Sequence, residues 1–307
     1  MLEHNFDLKH KTKVRKMELK GVYTALVTPF AGGMVDYGKL RELVALQVAG
    51  GVDGIVPVGT SGESPTLSTA EHMKVISEAI AAANKKCYIM AGTGANSTEE
   101  AIELTKHAKE EGADCSLQVT PYYNKPTQEG LYRHFSTIAD KCGIPLVLYN
   151  VPGRTGTAIA PETIARLSKN ANILGVKEAG GSVERVSEIA SLCDIPIMCG
   201  DDSLTVPMMS VGAKGVISVA SNIIPAELKA MVDACAKGDF ASALKYHKRY
   251  YRLFKDLFIE SNPIPIKAAM AMLGMIKEEY RLPLCEMAPA NREKLKATLS
   301  KALDKKI

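Results

Sequence analysis

No apolar run in this 307-residue chain comes near the ~20 residues a helix needs to cross a bilayer, which excludes a helical membrane protein. The first residues include "KHKTKVRK" but no apolar stretch behind it, so the tail does not read as a secretory signal. The seven cysteines are odd in number, form no C-x-x-C pair and fall mostly in apolar segments. That argues against a disulfide framework and for reduced thiols in a cytoplasmic protein. Six scattered histidines with no H-x-x-x-H spacing give no metal site. A basic surplus is also missing. The formal charge is +4, but residues 1–20 hold six Lys/Arg against three Asp/Glu, so the rest of the chain is nearly neutral and has no basic face for nucleic acid. Residues 1–18 read as a solvated, disordered extension, and Met17 is a plausible alternative start.

What is present is a repeating pattern. Eight short apolar runs recur, at residues 22–29, 54–59, 87–92, 115–121, 145–150, 173–177, 196–200 and 215–219. Their starts lie roughly 20–33 residues apart, the size of one βα unit. Most are apolar at consecutive positions, as expected of strands covered on both faces. Helix signals fill the gaps. Ser68 with Glu71 forms a capping-box pattern, Ser97 or Thr98 opens a second helix that ends at Gly112, and Pro161 stands near the first turn of a third. Eight such units either close into a barrel or lie open as a doubly wound sheet. "TPFAGG" after the first strand is not the G-x-G-x-x-G of a dinucleotide-binding sheet, which favours an α/β fold of the TIM (β/α)8 barrel type. The barrel spans residues 19–222, and residues 223–307 read as C-terminal helices packed on it.

In such a barrel the reactive groups stand at the C-terminal ends of the strands. Those ends carry Thr28, "GTSGES" (59–64), "GTG" (92–94), "TPYYNKP" (120–126), Tyr149–Asn150, Lys177–Glu178, "GDD" (200–202) and Ser218. Neither paired catalytic carboxylates nor a metal cluster stands among them. Lys177 ends an apolar strand, where desolvation favours a neutral amine able to form a Schiff base with a carbonyl substrate. Position alone is equally compatible with a snorkelling lysine or one paired with Glu178. Tyr149 on the adjacent strand is placed to shuttle protons, or is a core tyrosine with a satisfied hydroxyl. "GTSGES" offers hydroxyls and amides to a carboxylate at a helix start, or is a turn and an N-cap; it is not a Walker A loop, having no Lys-Ser/Thr pair. Arg154 in "NVPGRTG" suits a bidentate carboxylate contact, or decorates a surface loop.

Across "VTPF", "GTSGESPTL", "AGTGAN", "TPYYNKPTQEG", "LYNVPGRTG", "GVKEA", "GDD", "GVISV" and "NPIPIK" the chain, from about Leu19 to its end, closely resembles the dihydrodipicolinate synthase (4-hydroxy-tetrahydrodipicolinate synthase) family of class I, pyruvate-dependent aldolases. The resemblance implies condensation of pyruvate with L-aspartate 4-semialdehyde through a lysine Schiff base. The product is 4-hydroxy-tetrahydrodipicolinate, on the route to diaminopimelate and lysine, and no cofactor is needed. By the same resemblance Lys177 forms the imine, and Tyr149, Thr60 and Tyr123 relay protons, Tyr123 reaching into a neighbouring subunit's site. Thr60 and Ser61 (commonly Thr in the family) hold the pyruvate carboxylate, Gly200 and Ile217 line the pocket through their carbonyls, and Arg154 holds the semialdehyde carboxylate. A homotetramer built as a dimer of dimers is implied, with no nucleic acid or membrane partner. A site for L-lysine as effector falls on Ser64, Leu67, His72, Asn96, Glu100 and Tyr122, with His72 and Glu100 its charge-bearing members. Pro65 and Thr69 replace the Ala and His usual in regulated relatives. The alternatives are another pyruvate aldolase, of the N-acetylneuraminate lyase or 2-keto-3-deoxy sugar acid type, and a non-catalytic barrel that binds a keto acid. Arg154 with "PYY" argues against the first, and the presence of Lys177 and Tyr149 against the second.

Overall fold

The structure, a computed structural model, describes residues 17–307; the extension expected over residues 1–18 falls almost entirely outside them. Among the described residues ten strands occur in chain order: β1 (Gly21–Ala25), β2 (Phe30–Ala31), β3 (Met34–Val35), β4 (Gly54–Val56), β5 (Tyr88–Gly92), β6 (Cys115–Val119), β7 (Leu146–Asn150), β8 (Ile173–Glu178), β9 (Ile197–Cys199) and β10 (Gly215–Ser218). Eight of them close a parallel barrel in the order β1, β4, β5, β6, β7, β8, β9, β10 and back to β1. Each coincides with one of the apolar runs read from the sequence. They are buried along nearly their whole length, which is why their sequences do not alternate. The remaining two, β2 and β3, pair antiparallel in a small hairpin after β1 that the sequence pattern did not reveal.

Side-chain bulk is matched between neighbouring strands. Tyr23 is fully buried on β1 with its ring against Gly54 on β4, where a Cβ would collide with the ring edge. Outside, the helices begin where expected. Ser68 accepts from the Glu71 amide at 3.2 Å while the Glu71 carboxylate accepts from the Ser68 amide at 2.9 Å, a complete capping box for the helix Thr69–Ala83. Ser97 caps Thr98–Glu111 and Pro161 opens Pro161–Leu167.

After β10 the helix Pro225–Ala236 packs on β1 and β10, and three more follow: Phe240–Asp256, Ile264–Met272 and Pro289–Leu303. The helix Ile264–Met272 is buried over nearly all its residues, and it brings the C-terminal part down onto the mouth of the barrel. No helix among the described residues is long and apolar enough to span a membrane.

Candidate active site

The C-terminal ends of β7 and β8 set the centre of the site. The two strands pair in register, Tyr149 opposite Lys177 and Asn150 opposite Glu178. Side chains alternate along a strand, so Tyr149 and Lys177 share one face and Asn150 and Glu178 the other. Lys177 is 6 % exposed, and its Nζ lies 4.2 Å from the centroid of the Tyr149 ring. It therefore neither snorkels nor pairs with Glu178. Glu178 faces away and is fully buried, held by Asn150 and Arg185. No carboxylate among the described residues lies within ion-pair distance of the lysine. The nearby Asp201 carboxyl is pushed up by burial, with the Lys177 charge working against that rise, and its Oδ2 has no hydrogen-bond partner.

A cavity of about 320 Å³ opens above this pair. Its wall includes Thr60, Glu63, Tyr149, Arg154 and Asn262. Lys177, packed on the Tyr149 ring, is not part of the wall itself, and neither are Ser61, Gly200 and Ile217. Ser61 is nevertheless tied to it, because its Oγ accepts from Asn262 Nδ2 at 3.0 Å. Arg154 donates through Nη2 to the Asn262 carbonyl at 2.9 Å, so one C-terminal residue touches both the hydroxyl loop and the arginine.

The "GTSGES" loop is not a helix start. It is two consecutive 3-10 turns, Thr60–Gly62 and Ser64–Thr66, hinged at Glu63, which adopts a left-handed backbone (φ 54°). The Glu63 carboxylate explains how a non-glycine residue is held there. It is fully buried and accepts from Lys267 Nζ at 2.5 Å and from the Arg281 amide at 3.4 Å. Lys267 is itself completely buried, with Nζ 4.2 Å from the Phe30 ring centroid, and its burial lowers its pKa while Glu63 works to raise it. Sequence reasoning missed Glu63, Asn262, Lys267 and the wall residues Pro283 and Leu284. Glu63 and "NPIPIK" were visible as motifs, but nothing in a linear pattern reports contacts made across some 200 residues.

Tyr123 is 90 % exposed with φ 71°, so within one chain it does not join the cavity, whereas its neighbour Tyr122 does. Of the effector residues, Ser64 and Tyr122 reach the cavity wall. Asn96 Nδ2 donates to the Tyr122 carbonyl at 3.3 Å, and burial, with the Glu100 charge adding to it, raises the Tyr122 phenol. His72 does not carry the charge assigned to it: it is buried, its Nε2 is 2.8 Å from the Gly92 carbonyl, and burial pushes its pKa down to about 4. Among the described residues no cluster of His, Cys, Asp or Glu has the geometry to hold a metal, and all seven cysteines are free, with Cys285 exposed.

Against known proteins, the profile of the Dihydrodipicolinate synthetase family matches residues 18–302. A 4-hydroxy-tetrahydrodipicolinate synthase from Geotalea daltonii is 53 % identical over 278 residues, covering 90 % of this chain and 96 % of that one. The structure of the synthase from Methylacidiphilum fumariolicum SolV superposes with a TM-score of 0.92 at 49 % identity, over 94 % of this chain and 97 % of that one. A synthase from Cyanidioschyzon merolae with lysine bound superposes with a TM-score of 0.89 at 42 % identity, over 92 % and 98 % of the two chains.

Proposed function

The chain belongs to the dihydrodipicolinate synthetase family, and from that premise we propose that Lys177 carries the reaction as a Schiff-base nucleophile, with Tyr149 as its proton relay. The reaction is the lyase-class condensation of pyruvate with L-aspartate 4-semialdehyde to 4-hydroxy-tetrahydrodipicolinate, in lysine and diaminopimelate biosynthesis. The observation that carries the residue assignment is a buried lysine with no carboxylate at ion-pair distance among the described residues, packed on a tyrosine that faces the cavity.

The Lys177 amine attacks the pyruvate carbonyl carbon, and water leaves to give the imine. Loss of a methyl proton gives the enamine, whose carbon adds to the aldehyde carbon of the semialdehyde while the new alkoxide takes a proton. The semialdehyde's own amine then attacks the imine carbon, closes the ring and releases Lys177. Tyr149, Thr60 and Tyr123 serve the proton transfers, Tyr123 in the site of a neighbouring copy. Amides at the start of a turn have no partner within it, which leaves those of Thr60 and Ser61 to the pyruvate carboxylate together with their hydroxyls. The carbonyls of Gly200 and Ile217 complete the floor. Arg154 takes the semialdehyde carboxylate as a fork-shaped donor, a contact a polyol substrate would leave unused.

The working form is a homotetramer, a dimer of dimers that brings Tyr123 to its place. L-lysine acts as effector at Ser64, Leu67, His72, Asn96, Glu100 and Tyr122. A neutral His72 suits a cationic ligand better than a charged one, and Glu100 supplies the negative charge. Borohydride reduction in the presence of pyruvate tests the central assignment. The adduct is expected on Lys177 by mass spectrometry and should vanish in Lys177→Ala; full labelling of another lysine would overturn it. Supplying aspartate 4-semialdehyde and N-acetylmannosamine separately tests Arg154, and pyruvate should be consumed only with the semialdehyde.

A further inference from the structure

Directly behind the reacting pair, on the outer face of the barrel, lies a buried polar network that the mechanism does not use. Glu178 is fully buried, and its carboxylate is saturated. Oε1 accepts from Asn150 Nδ2 at 2.9 Å and from the Gly180 amide at 2.7 Å; Oε2 accepts from the same Asn150 Nδ2 at 2.9 Å and from Arg185 Nε at 3.3 Å. Asn150 is fully buried too, and its Oδ1 accepts from the Ile159 amide at 3.0 Å. Arg185 Nη2 donates to the Ile159 carbonyl at 2.8 Å, so Ile159 is gripped at both of its backbone polar groups.

The network therefore holds three pieces. Asn150 follows Tyr149 on β7, Glu178 follows Lys177 on β8, and Ile159 anchors the far end of the loop that contains Arg154. We infer that the Asn150–Glu178–Arg185 network is the positioning device of the site: it fixes the mutual placement of Tyr149 and Lys177 and the reach of the Arg154 loop. The alternation of a strand makes this mechanical, because a backbone twist or register step at the outward residue carries its inward neighbour with it. A packed hydrophobic pair in the same place would bring the strands together without specifying their angular relation. A carboxylate held by four hydrogen bonds from three donors has one arrangement.

The inference rests on the roles proposed for Lys177, Tyr149 and Arg154, and the experiment separates the two. In Glu178→Gln the amide places a donor against the Asn150 amide. Counted per folded site, kcat is expected to fall at least tenfold and KM for the semialdehyde to rise, while borohydride still traps pyruvate on Lys177 at saturating pyruvate. The exchange variant Asn150→Asp/Glu178→Gln restores one negative charge and sets the new amide against a carboxylate, leaving one of the Gly180 and Arg185 donors without its acceptor, and should raise kcat at least threefold over the single variant. Arg185→Ala, which frees the Ile159 carbonyl and also takes the cation from Glu178, should raise KM for the semialdehyde and lower kcat together. A single variant with normal kinetics per folded site and only a lower unfolding temperature, or an exchange variant no better than the single, would overturn the inference. Labelling of some other lysine in the parent enzyme would instead fault the assignment of Lys177 and leave the network without a role.

Discussion

At the scale of single residues, the ionisable groups buried in this fold set two measurable behaviours. Lys267 and Glu63 are both completely buried and paired, so removing one leaves an uncompensated charge. Lys267→Met is expected to lower stability by about 3–5 kcal/mol, and Glu63→Gln/Lys267→Met to recover more than half of that, read by urea unfolding. The second behaviour is a pH dependence. Burial pushes His72 and His134 down to about 4, so in the folded state both stay neutral where the unfolded chain would protonate them. Their contribution is complete above the ordinary histidine value near 6.5 and is lost as pH falls from there through about 4. Each accounts for on the order of 3 kcal/mol at the acid end. The unfolding temperature should therefore drop steeply between pH 6.5 and 4, and less steeply in His72→Gln.

At the scale of elements, the strands were legible in the sequence because a strand buried on both faces leaves a contiguous apolar run, and the helices because Ser68, Ser97 and Pro161 mark their starts. Lys177 and Tyr149 were legible for the same reason: a polar residue closing an apolar run is conspicuous. The hairpin β2–β3 was not, since two strands of two residues are too short to show a period. Nor were the two turns of "GTSGES", whose hinge at Glu63 depends on a lysine far along the chain. Close packing between elements gives another expectation. Gly54 exists where the Tyr23 ring leaves no room for a Cβ, so Gly54→Ala should cost about 1–3 kcal/mol in thermal unfolding. Ser182 accepts from the Arg185 amide at the start of the helix Val183–Leu192, and Ser182→Ala should lower stability by about 1 kcal/mol.

At the scale of the whole molecule, Tyr123 stands out from a loop with nothing among the described residues of its own chain to receive it. A mixture of Tyr123→Phe and Lys177→Ala chains should regain part of the activity each lacks alone, because hybrid assemblies contain one site with both intact residues; no gain on mixing would confine each site to its own chain. The largest part of the site that the sequence concealed also belongs to this scale. Asn262, Pro263, Pro283 and Leu284 wall the cavity from beyond the barrel, and only the folded whole brings them there. That placement has a consequence for synthesis. A ribosome delivers residues in order, and the strands needed to close the barrel have all emerged once Ser218 has; Lys177, Tyr149 and Arg154 are by then in place. The chamber they serve is still open on one side and stays so until nearly the last helix is made. A message cut short between Ser218 and Leu284 yields the eight strands and their reactive groups around an incomplete chamber, so the site of a nascent chain is complete only once Leu284 has emerged.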